Sequence, residues 1–530
     1  MNDISLNQHL SETINKLLIK YKNDEYLTDK INTYISNLEN HILSLKKEKE
    51  QRDDRKNILS SYKKVFMNQF LTEKIYYYIP ESTLFITYDS KNYTQINENT
   101  IWLEILTMVK QNKVILPWKH KIRIELIASV KKQLFIHCIP ESHTIQLILN
   151  IFSGIISTNK DHGKFLLTII GDSILRKSTN NTYLVDSKIN TFVNSLQFQI
   201  NKFIRCNFTT SLKYKYYNHD YSTTRLIYSK DHVDKAYLWE HIIKHYIFDI
   251  IAVSCHYSNR FINADNFIIN ICKNIDVQNY VLFLKNNTKE TIVAAFSRKM
   301  LQKCGSLHIT YNEAFYLWKT YLKSLEMPPI LFSKELFHHL GNIFQSSNEQ
   351  FMGVTSPKLH YVKVFKQFMA EVIIINDITD TNEIISTNNS VYVYNTPINC
   401  NINTYDKTNI TLDSFELSEL LQLYSYWCDK NKVTTSITEE MILSLLKHFY
   451  TSIVIKQNKY ILGCKSTMWN KEQDISNFFT STTYSLNFQV SYNNDLYQLY
   501  CNYIKNNKIN FTTSKSYFKS YFKIYREQNT

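Results

Sequence analysis

Residues 436–464 read SITEEMILSLLKHFYTSIVIKQNKYILGC, and this stretch decides the fold class. Ser436 stands three residues before Glu439, the spacing of a capping box, and apolar residues then recur at helical intervals to about Tyr450. Ile453-Val454-Ile455 and Lys459 to Cys464 flank Gln457-Asn458, the pattern of two short strands around a tight turn. Upstream, Leu412 to Cys428 has the spacing of another amphipathic helix. Helix, helix, hairpin is the order of a winged helix, so residues 411–480 are read as one winged-helix-like α+β unit.

Residues 481–530 read as a second such unit. Leu496, Tyr497, Leu499, Tyr500 and Ile504 mark one helix, and Asn506-Asn507 ends it. Ile509-Asn510-Phe511 is short and extended, and Ser514 caps a last helix from Lys515 to Arg526. Lys515, Lys519 and Lys523 recur at i, i+4 and i+8, with Arg526 three further on. At helical pitch these four fall within an arc of roughly 80°, while Tyr517, Phe518, Tyr521, Phe522 and Tyr525 cover the rest. A basic face on the second helix of a helix-turn-helix is what phosphate and groove contact requires. The bland alternative is a helix docked by its aromatics, with its lysines simply in solvent.

Outward from there the helical period dominates. Thr144 to Phe152, Phe165 to Leu175, Val185 to Phe203, Tyr237 to Ser254, Thr291 to Gln302 and Tyr311 to Leu325 each show 3–4 spacing. Gly171-Asp172 reads as the cap and turn that end the second of these. Residues 85–89 alternate as a strand does. Near the start, Ile31, Ile35, Leu38, Ile42 and Leu45 follow 4-3-4-3 spacing, a heptad seam two heptads long. Lys46 to Lys56 then reads as a solvated helical face or an exposed connection. The expected protein is mainly α: an N-terminal helical hairpin (1–75) that packs on the body or a partner, a multi-helix body (76–375), a loop-rich boundary (376–410) and the two C-terminal units.

Composition excludes more than it selects. Gly and Pro number 7 each in 530 residues, and no Gly precedes Gly154. Phosphate-cradling Gly-rich loops and turn-rich β-sandwiches both need glycines that this chain lacks. The nine cysteines are scattered without a C-x-x-C, which fits free thiols in a reducing compartment. No apolar run of membrane-spanning length and no secretory signal pattern is present.

The formal charge of +14 is concentrated. Residues 111–132 and 202–230 each carry six basic residues and one acidic, and residues 496–526 carry six and none. Within 202–230, Lys202, Arg205, Lys213, Lys215 and Arg225 alternate with aromatic rings, a pattern able to track phosphates and stack single-stranded bases. A half-buried strand with Lys outward and Tyr inward gives the same pattern, and AT-rich codon bias would inflate both residue types. His241, His245 and Asp249 share one helical stripe and could face one metal, but Ile242 stands where the Glu of H-E-x-x-H belongs. In a chain with 16 His such pairs arise by chance, so neither a metal nor another cofactor is assigned. No catalytic constellation stands out, and the reading leans away from an enzyme.

The string Leu496-Tyr497-Gln498-Leu499-Tyr500-Cys501-Asn502-Tyr503, then Phe511 and Ser514-Lys515-Ser516-Tyr517-Phe518, resembles the C-terminal winged-helix tail of the helicase–primases of large DNA viruses. It covers about residues 485–526, and the helicase part is absent. Ile139-Pro140-Glu141-Ser142, Phe165 to Leu175, and Asp413 to Trp427 with Trp469 resemble an uncharacterised family of giant-virus proteins, to which no activity is attached. The resemblance implies a protein of a large DNA virus, in the host cytoplasm or the virion and not secreted; with the basic segments, the expectation is a non-enzymatic scaffold that binds DNA or RNA. Alternatives are a helical protein-binding adaptor in a viral transcription or translation assembly, and a divergent enzyme.

Overall fold

A computed structural model of the chain describes residues 2–230, 236–375, 414–434, 436–482 and 493–529; the stretch read as a loop-rich boundary lies outside the described residues. The protein is mainly α, 65% helical, with strands in five sheets of two or three strands each among the described residues. It divides into two compact units, Met1–Asn286 and Asn287–Thr530. The division falls inside the stretch read from sequence as one body.

The first unit opens with a 19-residue helix, Asn2–Lys20, and a 49-residue helix, Glu25–Glu73. Asp24 caps the second by accepting from the Leu27 amide. The charged run Lys46–Lys56 lies within this helix, consistent with a solvated face. Phe66 and Phe70, at its far end, are buried against Tyr76, Phe85, Ile101, Ile105 and Leu126. These come from an antiparallel meander (Tyr76–Ile79, Leu84–Tyr88, Tyr93–Ile96) and from helices Glu98–Gln111 and Lys119–Lys132. A second, larger core surrounds two crossing helices, Lys160–Ile174 and Ala236–Phe261. Beside them lies a small parallel sheet, with Thr182–Val185 between Leu212–Lys213 and Thr224–Ile227.

Gly171-Asp172 is not the terminus that its sequence suggested. The helix runs through it to Ile174. Gly171 is where the two helices touch: a Cβ there would lie 2.0 Å from the Ser254 carbonyl oxygen. Asp172 is buried beside it, accepting from Ser258 Oγ (2.5 Å) and from the Ala264 amide (2.8 Å). A glycine and a helix-disfavouring aspartate look like punctuation locally, but here both serve packing against a distant segment.

The second unit contains one arrangement used repeatedly. Helix Lys289–Met300, strand Gln302–Thr310, helix Tyr311–Ser324, helix Ser333–Gly341, and strands Ser346–Ser347 and Gln350–Thr355 follow in order. The last strand lies between the other two. The same order recurs, with an added strand Ile373–Ile375 that pairs with Cys464–Ser466, in helix His360–Val372, strand Ser414–Glu416, helices Leu417–Lys430 and Glu439–Phe449, and strands Val454–Lys456 and Tyr460–Leu462. Again the last strand is central. Both hairpins turn on two consecutive residues of positive φ, Asn348-Glu349 and Gln457-Asn458. Helices Lys471–Thr482, Asn493–Asn506 and Lys515–Asn529 then repeat the helical order a third time.

The middle helices of the three copies are each 14 residues long. Each ends in the same left-handed residue two positions on: Glu326 (φ 53°), Lys432 (φ 55°) and Lys508 (φ 52°). The amides of Met327, Val433 and Ile509 then bond back to the carbonyls of Leu322, Cys428 and Ile504. This is a Schellman closure with its customary apolar pair, made three times without glycine. The cap of helix 439–449 is Thr438, which accepts from the Met441 amide, and not Ser436 two residues earlier.

Candidate nucleic-acid interface

Helix Lys515–Asn529 is amphipathic in the way its sequence requires. Lys515, Lys519 and Lys523 are exposed. Tyr517 and Phe518 are buried in a cluster with Ile475, Phe478, Phe479, Tyr500 and Ile504, and Tyr521, Phe522 and Tyr525 pack around it. The backbone of Arg526 continues the helix; its side chain lies outside the described residues.

What holds this helix in place is a buried carboxylate. Glu419 sits at the third position of helix 417–430 and is 1% exposed. It accepts from the backbone of Glu416, closing its own capping box. It also accepts from the Ser514 amide at 2.6 Å, so the start of the basic helix is tied to the preceding copy. Lys471 neutralises it, with Nζ 3.1 Å away and a further bond to the Ser414 carbonyl. The same ammonium lies 3.9 Å from the Tyr517 ring centre and 4.2 Å from that of Phe415. The first copy has the counterpart: Glu313, in a capping box with Thr310, pairs at 3.0 Å with Lys366 from the next copy's first helix. The 507–514 connection is pinned further, by the Gln422 side chain on the Thr512 amide and by Phe511 stacked on Trp469. Tyr497 and Tyr500 both bond Thr513. The lysine face is therefore displayed on a rigid support.

The third helices of the earlier copies lack such a face. Glu439-Glu440 open the one in the second copy, both exposed, with Lys447 near its end. In the first copy Lys334 and His338 are the exposed basic positions, and Glu335 pairs with Lys289.

The 202–230 segment is largely committed to its own fold. Arg225 is a correction to the sequence reading: it is 3% exposed, and its guanidinium binds both oxygens of Asp265 (2.9 and 2.8 Å) and two carbonyls. Buried and bonded to Asp265 and two carbonyls, it is withdrawn from any phosphate. Lys213 donates to the Thr210 carbonyl and Lys230 to that of Ser153. Lys202, Arg205 and Lys215 are exposed. Tyr216 is buried and Tyr214 half-buried, while Lys215 and Tyr217 face outward, closer to the strand-like alternative than to a stacking platform. In 111–132, Arg123 lies 3.9 Å over the Trp102 ring and Lys131 pairs with Glu98.

His241, His245 and Asp249 do not converge. Both histidines are exposed and Asp249 is fully buried, with a break in helical geometry at Tyr246 between them. Asp249 Oδ1 accepts from the Tyr93 amide at 3.0 Å, and burial pushes its carboxyl up to about 7. It serves the meander. No group of His, Cys, Asp and Glu able to hold a metal is found among the described residues, whose eight cysteines are free thiols. None of the described helices is long and apolar enough to cross a membrane. No family profile, curated protein or solved structure matches the chain.

Proposed function

We propose that this protein is a non-enzymatic nucleic-acid-binding scaffold of a large DNA virus, acting in the host cytoplasm or the virion. Its second unit is read as a tandem of winged-helix modules, the first two with wings and the third showing only its helices among the described residues. Helix–strand–helix–helix–hairpin order with the last strand central supports that reading. The observation that carries the functional reading is the exposed Lys515, Lys519 and Lys523 face on a third helix fixed by Glu419. In a winged helix the third helix is the one that enters a groove. Repetition of the helical order with a basic third helix in one copy supports reading that helix as the DNA- or RNA-contacting one, with the other copies as support.

The test is fluorescence anisotropy with labelled duplex DNA, single-stranded DNA and RNA at low salt. Changing Lys515, Lys519 and Lys523 together to Glu leaves the aromatic face untouched. It should weaken binding by at least about tenfold while leaving the circular dichroism spectrum unchanged. Unchanged affinity would remove this helix from the interface. Failure of the parent chain to bind any of the three probes would favour a protein-binding adaptor, a reading supported by the exposed apolar residues of helix Glu25–Glu73.

A further inference from the structure

Helix Glu25–Glu73 carries one stripe at heptad spacing along most of its length. Ile31, Ile35, Leu38, Ile42 and Leu45 begin it, and Leu59, Lys63, Phe66 and Phe70 continue it in the same phase two heptads later. At the far end the stripe is covered. Phe66 and Phe70 are buried, and Lys63 reaches Glu125 at 2.7 Å. Between the two parts the seam positions are Lys49, Arg52 and Lys56, whose charges no apolar partner would accept. The near part is uncovered: Ile35 is 41% exposed, Leu38 51%, Ile42 54% and Leu45 50%. From Leu45 to Leu59 is about 21 Å of helix, so the surface that covers Phe66 does not reach it.

We propose that this uncovered stripe pairs with the same stripe of a second copy of the chain, as a parallel two-stranded coiled coil. A strict 3.5-residue repeat drifts about 20° per heptad on a straight helix, so it stays matched to a supercoiling partner and not to a flat surface. Ile at positions 35 and 42 with Leu at 38 and 45 is β-branched at a and γ-branched at d, the choice that favours two parallel strands. Ile35, Leu38, Ile42 and Leu45 of each copy, with part of the flanking Tyr34 that is 75% exposed, bury roughly 900 Å². That is the lower edge of a specific interface, so the dimer is reversible. The flanking pairs, Tyr34 with Glu39 and His41 with Lys46, contain no opposite charges. The pairing itself is apolar, and the Lys49 and Arg52 that follow on the same seam face their own copies, so salt does not weaken it; it stands independently of nucleic-acid binding.

Sedimentation equilibrium of the full chain over about 1–100 µM tests it. The expected result is a shift from 63.0 kDa towards twice that mass, not weakened by added salt. Ile35→Glu with Ile42→Glu should abolish the shift with no change in helicity. Leu43→Glu, exposed but off the seam, should leave it intact. Leu45→Cys should form a disulfide-linked dimer under mild oxidation, because the parallel arrangement sets residue 45 against itself whereas an antiparallel one sets it against Ile31. A monomer throughout, a dimer that survives the double substitution, or equal loss with Leu43→Glu would overturn the proposal. Failure of Leu45→Cys to cross-link a chain that does dimerise would overturn the parallel arrangement.

Discussion

Gly171→Ala should destabilise the first unit even though alanine is the better helix former. The added Cβ would sit 2.0 Å from the Ser254 carbonyl oxygen and 2.6 Å from its carbon, about 1.4 Å short of ordinary 3.4 Å contact. Both atoms are backbone, so no rotamer change relieves the clash, and the two helices must move apart. That movement also stretches the buried Asp172–Ser258 and Asp172–Ala264 bonds. Overpacking and the strained bonds together cost roughly 3–5 kcal/mol. Against this, Gly→Ala in a helix interior gains about 1 kcal/mol. The net loss is roughly 2–4 kcal/mol, read as a fall in the urea midpoint with m unchanged. Gly163→Ala is the control on the same helix. Its Cβ would meet Phe152 and Leu149 side chains at 3.6 and 3.7 Å, so only the gain should remain. A neutral or stabilised Gly171→Ala, or equal loss at both sites, would refute the close-crossing argument.

Other outcomes follow from the same reasoning. Lys471→Met leaves the Glu419 carboxylate buried without its cation and should cost about 3–5 kcal/mol in urea unfolding; adding Glu419→Gln should recover part of that. Arg225→Ala should lower stability without weakening nucleic-acid binding, because the guanidinium is spent on Asp265; a selective binding defect would contradict this. Burial holds the His162 imidazole down to about 4, so the unfolded chain binds the extra proton and stability is lost as pH falls from 6.5 to about 4. Asp249 has the opposite sign: with its carboxyl raised from 3.8 to about 7, the folded chain holds the proton, and this contribution is lost as pH rises through that window. Asp249→Asn should therefore gain stability relative to the parent at about pH 8 and not at about pH 4, as thermal melts at both pH values would show.

Local pattern was enough where a segment's burial is one-sided. Helices 311–324, 417–430 and 515–529 have apolar residues at 3–4 spacing, and their ends fall within a few residues of the expected positions, except that the helix read from Leu412 begins only at Leu417, after strand Ser414–Glu416. The lysine face of the last helix was legible for the same reason. The first copy of the repeated arrangement was not, because strand Gln302–Thr310 is mostly exposed, carries a register shift between Lys303 and His308, and shows no alternation to mark it. A signal for the repeat did exist: apolar pairs five apart, Leu322/Met327, Cys428/Val433 and Ile504/Ile509, close each middle helix. It is hard to see in a chain this rich in isoleucine and leucine. Arg225 and Asp172 show the limit of local reading, since their partners Asp265 and Ser258 lie 40 and 86 residues away. A charge count cannot distinguish a guanidinium facing solvent from one bound inside.

The central claim is that the chain meets a polyanion through the face of Lys515, Lys519 and Lys523. The most direct measurement is the dependence of log affinity on log salt for the parent chain and for the variant with all three changed to Glu. Each phosphate neutralised contributes a slope of about −0.7 on single strands or −0.9 on duplex. Loss of three contacts should therefore make the slope shallower by about two to three, together with weaker binding at low salt. Parallel slopes for the two proteins would show that these lysines touch no phosphate and would contradict the account.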